Sequence, residues 1–229
     1  MHPVSIRPEI VARVLARRGR VDWFDRLDPA RTALVVIDMQ TAFCAPGAPA
    51  EVPLARAIVP AINDLARALR KLGCPVIWVL HANTSRGGRS DWSLFFDHVV
   101  AEEMRERTMA ALAPGQQTVW QDLEVSPEDH TVIKNRYSAL IPGSSQLERL
   151  LRSLGIDTVL IAGTKTNVCC ESTARDAMML DFKTVMLSDC CAALSDDEHR
   201  AALETIFQQF GDVSTSAEVL RKLSSSGNA

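Results

Sequence analysis

No stretch of the sequence approaches the ~20 consecutive apolar residues of a membrane-spanning helix; the longest strand-like runs are about five residues. Residues Met1 to Arg20 include several arginines but no apolar core with a small-residue cleavage site, so no secretory signal is expected. A basic surplus is also missing. Lys and Arg number 25 against 28 Asp and Glu, a formal net charge of -3, which argues against a phosphate-binding, nucleic-acid partner. The six cysteines, at 44, 74, 169, 170, 190 and 191, never take a C-x-x-C spacing, so no structural zinc site is expected. Two pairs are vicinal and poorly suited to an unstrained disulfide; reduced thiols in a cytoplasmic protein are the expectation. There is no internal repeat and no low-complexity linker.

What is present is an alternation. Short apolar runs at 33–38 (ALVVID), 75–81 (PVIWVLH), 130–136 (HTVIKNR), 158–164 (TVLIAGT) and 183–189 (KTVMLSD) suit strands buried on both faces. Between them, Leu54, Ile58, Ile62, Leu65, Leu69 and Leu72 form one helical stripe, closed by Gly73 and Pro75. Residues 144–154 begin with serines suited to capping and end at Gly155; 167–181, 196–209 and 215–223 also carry helical patterns. The whole predicts a doubly wound α/β fold with a mainly parallel sheet of about six strands flanked by helices. Residues 29–223 are expected to form a single domain. Residues 1–28 are expected to form a helical arm docked through Val11, Val14 and Leu15, and 224–229 a disordered tail. In 82–128, a polar loop from Asn83 to Trp92 precedes an aromatic patch of Trp92, Leu94, Phe95, Phe96 and Val99. That patch is taken as local core in preference to a substrate lid or subunit interface.

Ligands of an open parallel sheet bind outside the carboxyl ends of its strands. Asp38 ends the first run, Lys134 lies near the end of the third, and the fourth is followed by GTKTNVCCE at 163–171, running straight into a helix. A cysteine at such a turn gains from the helix N-terminus, whose partial positive charge stabilises a thiolate and whose free N–H groups can hold an oxyanion. Asp38 could take the thiol proton, with Lys134 holding the charges in place. Each signal alone has a plainer explanation: a strand-end cap, a structural ion pair, a buried inert thiol.

Three segments taken together resemble the isochorismatase-like superfamily of cysteine hydrolases: ALVVIDMQTAFC at 33–44, VIKNRYSAL at 132–140 and GTKTNVCCESTARDA at 163–177. The resemblance runs from about residue 30 onwards and is nearest to the ureidoacrylate and biuret amidohydrolase branch, which FGDVSTSAEVL at 210–220 also resembles. It implies Asp38, Lys134 and Cys169 as the catalytic set, with Cys170 a packing residue. It further implies a cis peptide between Thr164 and Lys165, and an oxyanion hole made by the backbone N–H groups of Lys165 and Cys169. Lys165 departs from the pattern, standing where a small or apolar residue is usual. True isochorismatases lack the cysteine, and nicotinamidases carry an Asp-x-His and a further His for a divalent metal. Here His81 stands alone, and His98 and Asp91 have no metal-binding spacing, so no metal or other cofactor is expected. His81 is expected to be a hydrogen-bonded structural residue or a pocket wall. Phe43, Tyr137 and Ser138, beside Asp38 and Lys134 in the chain, and Thr164 are the expected substrate contacts; Gln208 and Gln209 are assigned to a helix surface. The function implied is metal-independent hydrolysis of a small linear amide or ureido compound through a thioester, by a homo-oligomer. A nicotinamidase or maleamate-type amidase is the alternative within the class. A thiol redox sensor using 169/170 and 190/191 is the alternative outside it.

Overall fold

A computed structural model describes residues 2–224. Six parallel strands form one sheet in the order β5-β2-β1-β6-β7-β8. They are β1 (Thr32–Ile37), β2 (Val76–His81), β5 (His130–Lys134), β6 (Thr158–Thr164), β7 (Lys183–Ala192) and β8 (Asp212–Ser214). The continuous apolar runs have a direct cause. In β1, Leu34 and Val36 enter one core with Trp78 of β2 and the helix α3 (Val59–Lys71); Ala33, Val35 and Ile37 enter the other, beneath α6 (Leu147–Ser153) and α7 (Glu171–Met179). With both faces covered, β1 keeps apolar side chains throughout after Thr32, whose hydroxyl is bonded to Asp28 O.

The 54–72 stripe is a 3₁₀ turn, Pro53–Ile58, followed by α3; Ile58, Ile62, Leu65 and Leu69 are buried, whereas Leu72 lies past the helix and is exposed. The N-cap of α6 is Gln146, not one of the serines, and its side chain makes no capping bond; Ser145, one residue earlier, accepts from Leu147 N (3.0 Å). The amino-terminal α1 (Pro8–Arg18) packs through Ile10 and Val14 on Phe207 of α8 (Asp196–Gln209), reinforced by Arg7 against the buried Glu204 (2.6 Å). Leu15, expected in that contact, faces solvent; Ile10 takes its place one turn earlier. Gln208 stays on the helix surface, accepting from Arg13. The described residues end in α9 (Ser216–Ser224), which takes in Ser224 of the expected disordered tail; 225–229 lie outside the described residues.

The 82–128 stretch holds more structure than a loop. A two-residue hairpin, β3 (Ser85–Arg86) with β4 (Arg89–Ser90), leads into α4 (Ser93–His98) and α5 (Glu102–Ala111), opposite the short α2 (Thr41–Cys44). The aromatic patch divides. Phe96 is core, packed with Ala42 and Leu112, but Leu94 and Val99 are exposed, and Trp92 and Phe95 are half-buried. The expectation of local core holds for Phe96, with Trp92 and Phe95 packed at its edge, and fails for Leu94 and Val99, because the short α4 has only one side to bury.

Candidate active site

After β1 the chain runs to β2 on one side, and later returns to β6 on the other. The carboxyl ends of β1 and β6 therefore flank the switch point where an open sheet leaves a crevice. Gly163 is needed there: with φ at 113°, a Cβ would sit 2.0 Å from the carbonyl oxygen of Ile37. Asp38, just past β1, takes a left-handed backbone (φ 55°), a conformation Asp tolerates better than most residues. Its N–H remains bonded to Val79 O at 2.8 Å. Beyond β6, the Thr164–Lys165 peptide is cis, and Thr166–Cys170 forms a π-helical turn leading into α7. Such turns recur at functional sites.

These elements bring Asp38, Lys134 and Cys169 together. Asp38 Oδ2 lies 2.9 Å from Lys134 Nζ in an ion pair with no exposed surface on either side chain. Cys169, also buried, lies beside both and feels their charges. Burial raises the Asp38 carboxyl pKa, more than the Lys134 charge lowers it. Burial also pushes the Cys169 thiol up, to about 12, with Asp38 adding to the shift and Lys134 opposing it. Lys134 is held above its ordinary value because Asp38 and Cys169 together outweigh the cost of burying its charge. The ammonium thus keeps its proton, the thiol is neutral at rest, and the carboxyl is a stronger base than a solvated one.

The sequence did not reveal what steadies the lysine. Lys134 Nζ also approaches His81 Nδ1 (3.0 Å) and donates to Arg136 O (3.0 Å), so an imidazole and a backbone carbonyl hold the ammonium beside Asp38. Burial, with Lys134 beside it, holds His81 well below its ordinary pKa, so its ring is neutral. With Nδ1 accepting, Nε2–H is the donor to Asn83 Oδ1 (2.7 Å). Asn83 in turn donates to Asp91 Oδ1 (2.8 Å). The Gln40 side chain closes the β1–β2 end, accepting from His81 N (2.6 Å) and donating to His81 O (3.1 Å). Polar residues at strand ends, in H-A-N and D-M-Q, were the available signal.

A cavity of about 400 Å³ opens above this centre. Phe43, His81, Trp92, Phe95, Tyr137, Lys165, Val168, Cys169 and Leu194 are among its walls. Two expected contacts do not line it. Ser138 is buried in the turn behind, its hydroxyl accepting from Leu140 N and Ile141 N. Thr164 is buried with its hydroxyl on Ala192 O. Ser138 holds the turn after Tyr137, and Thr164 ties the end of β6 to the end of β7, each beside a residue that does line the cavity. Both nitrogens of His81 are committed, and among the described residues no three His, Cys, Asp or Glu side chains group to hold a metal ion. All six cysteines are buried, and burial raises the thiol pKa of five of them, Cys44, Cys74, Cys169, Cys170 and Cys190. A redox sensor calls for the opposite, accessible low-pKa thiols.

An isochorismatase domain model matches residues 32–218. The ureidoacrylate amidohydrolase RutB of Caulobacter vibrioides (strain ATCC 19089) is 32% identical over 209 residues, covering 84% of this chain and 91% of that protein. The uncharacterized isochorismatase family protein YecD of Escherichia coli O157:H7 is 31% identical, covering 86% of this chain and 98% of its own. Among solved structures, a cysteine hydrolase from Pseudomonas syringae pv. phaseolicola 1448A superposes with a TM-score of 0.75 at 33% identity, over 90% of this chain and 97% of that one. The sheet order, the strand-end site and these matches agree: the chain belongs to the isochorismatase family.

Proposed function

We propose that the protein is a metal-independent cysteine amidohydrolase that cleaves a C–N bond of a small linear amide or ureido compound. The observation that carries the reading is the Asp38–Lys134 ion pair, sealed from solvent, with Cys169 beside both at the base of a small cavity. A buried ion pair is a poor stabilising device, since desolvation cancels most of its attraction, so a chemical use accounts for it better than a structural one. The amidohydrolase relatives support the same chemistry.

The steps follow from the proton positions. Because the Cys169 thiol is neutral at rest, its proton passes to Asp38 as sulfur attacks the carbonyl carbon. The oxyanion is received by the N–H groups of Lys165 and Cys169. Collapse breaks the C–N bond, and the leaving nitrogen takes the proton from Asp38. Water then attacks the thioester, gives a proton to Asp38, and releases the acid as the thiol is re-formed. Lys134 stays protonated throughout and limits the cost of charge on Asp38 and on sulfur. Cys170 donates into the fold, to Ala162 O, and has no part in these steps.

Ammonia release from biuret, ureidoacrylate, nicotinamide, maleamate and N-carbamoyl amino acids, each with and without EDTA, tests the reading. Activity on a ureido compound, unaffected by EDTA and reduced ~10³-fold or more in Cys169→Ala, is the expected result. Cys170→Ala should keep much of it. Comparable losses in both variants would sink the assignment of the nucleophile, and loss with EDTA would sink metal independence.

A further inference from the structure

The charged groups of the cavity wall are unevenly provided for. Glu51 Oε1 accepts from Arg56 (2.8 Å) and Oε2 from Gly47 N (2.7 Å), so its charge is answered within the wall. His81 is neutral, and Asp38 and Lys134 answer each other beneath the floor. Lys165 has no such answer. Half-buried, it lines the cavity, and its ammonium makes no hydrogen bond or ion pair among the described residues. Its position relative to the nucleophile is defined, since Lys165 O accepts from both Val168 N (3.1 Å) and Cys170 N (3.2 Å), and one helical turn separates it from Cys169. Much of the rest of the cavity lining is apolar, Phe43, Phe95, Val168 and Leu194 included. Half-exposed and without a protein acceptor, the ammonium is solvated and free to pair with an anionic group that enters the cavity.

We infer that Lys165 selects a substrate bearing a carboxylate: a small amide or ureido acid whose anionic end pairs with the Lys165 ammonium while its carbonyl carbon lies at Cys169. The inference rests on the amidohydrolase reading and adds to it the substrate's charge. It accounts for a lysine where the family resemblance leads one to expect a small or apolar residue. It also predicts that neutral amides of the same length, biuret included, are poorer substrates. The carboxylate lies away from the reacting bond, so its pairing is made equally in ground and transition states and acts on KM more than on kcat.

Two readouts test it. The first compares ureidoacrylate with its methyl ester through kcat/KM for ammonia release, in the wild type and in Lys165→Met, Lys165→Arg and Lys165→Glu. Every one of these side chains keeps the backbone N–H. Taking the acid-to-ester ratio cancels any change in the oxyanion contact. The wild type should favour the acid by roughly tenfold to a hundredfold, the range of one charge-assisted contact. Lys165→Met should lose the preference through KM, Lys165→Arg restore most of it, and Lys165→Glu reverse it. The second readout needs no turnover: the rates at which iodoacetate and iodoacetamide alkylate Cys169, followed by mass spectrometry. Their ratio should fall from wild type to Lys165→Met and again to Lys165→Glu. An unchanged ratio across the series in either assay overturns the role of Lys165 and places its ammonium in solvent. If ammonia release fails but the alkylation ratio still follows residue 165, the amidohydrolase reading falls and the anion-selecting lysine stands.

Discussion

Asp38, His81 and Lys134 stand on three neighbouring strand ends, none more than 3% exposed; Leu94 and Val99, across the cavity, are 70% and 65% exposed. The floor is laid down by the sheet register, which pairs His81 with Lys134 directly and sets Ile37, the residue before Asp38, beside Gly163. Its polar groups are tied to one another and to backbone. The roof is a two-residue hairpin and two short helices, joined to the floor through Asn83, Asp91 and stacked rings: Trp92 lies 6.0 Å from His81 and 4.8 Å from Phe95. The contrast separates two tasks. A sheet can fix a proton donor and acceptor to fractions of an ångström, whereas a roof of local contacts can change its lining without disturbing them.

If the floor is that tightly coupled, breaking the ion pair has the largest effect on the fold. Lys134→Ala leaves the Asp38 carboxyl buried without its counter-charge, and should lower stability by about 3–5 kcal/mol in urea unfolding. Asp38→Leu combined with Lys134→Met strands no charge and should recover much of that loss while remaining inactive. Equal losses in the single and double variants would mean that packing, not charge, holds the floor together.

Gly163→Ala comes next. The added methyl would meet the Ile37 backbone at 2.0 Å, and backbone on both sides cannot yield cheaply. A loss of about 2–3 kcal/mol is expected, with a fall in kcat because Asp38 follows Ile37 directly. A variant of wild-type stability would show that the β1–β6 crossing is looser than the register implies.

Acid sharpens the same comparison through two buried histidines. His81 supports Lys134, and His199 on α8 meets Thr166 Oγ1 (2.8 Å), behind the turn that carries Cys169. Burial depresses the pKa of both, that of His199 to about 4, with His2 stacked 4.3 Å away contributing. The unfolded chain takes up protons near pH 6.5 and the folded one only at lower pH. The stability gained by keeping these rings neutral is therefore complete above about 6.5 and drains as pH falls. Between pH 6.5 and 5 the His199 share amounts to about 2 kcal/mol at most. Urea midpoints at the two pH values measure it, and His199→Gln should flatten the dependence. A variant as acid-sensitive as the wild type would remove His199 from the account.

The order of elements, and the meeting of Asp38, Lys134 and Cys169 that the proposed chemistry needs, were legible in the sequence because both rest on the apolar runs of a two-faced sheet. Asp38, Lys134 and Cys169 each follow or end such a run, so locating the strands located them. Gln40, His81 and Asn83 were harder, since their importance lies in bonds across β1, β2 and β5 that no local pattern records. Ser138 and Thr164 were misplaced for a related reason. A neighbour of a catalytic residue in sequence faces the other way as often as not, and both turn inward to hold backbone. The aromatic patch was the least legible, because a helix as short as α4 carries too few turns to show which side it buries.

The smallest expected effect lies in the roof, and it decides whether roof and floor are separable. Phe95 lines the cavity, stacked on Trp92 and edge-on to Phe96 at 4.9 Å, while its neighbour Leu94 points to solvent. Leu94→Ser should leave stability within about 0.5 kcal/mol of wild type. Phe95→Ala removes apolar wall from a bound substrate without touching Asp38, Lys134 or Cys169, so KM should rise roughly three- to tenfold with kcat within about twofold. Steady-state kinetics on whichever amide proves to be the substrate reads the split. If kcat falls as far as kcat/KM, the roof contributes to the transition state itself. The ring stack from Phe95 through Trp92 to His81 would then be the route, because it ends on the residue that steadies Lys134.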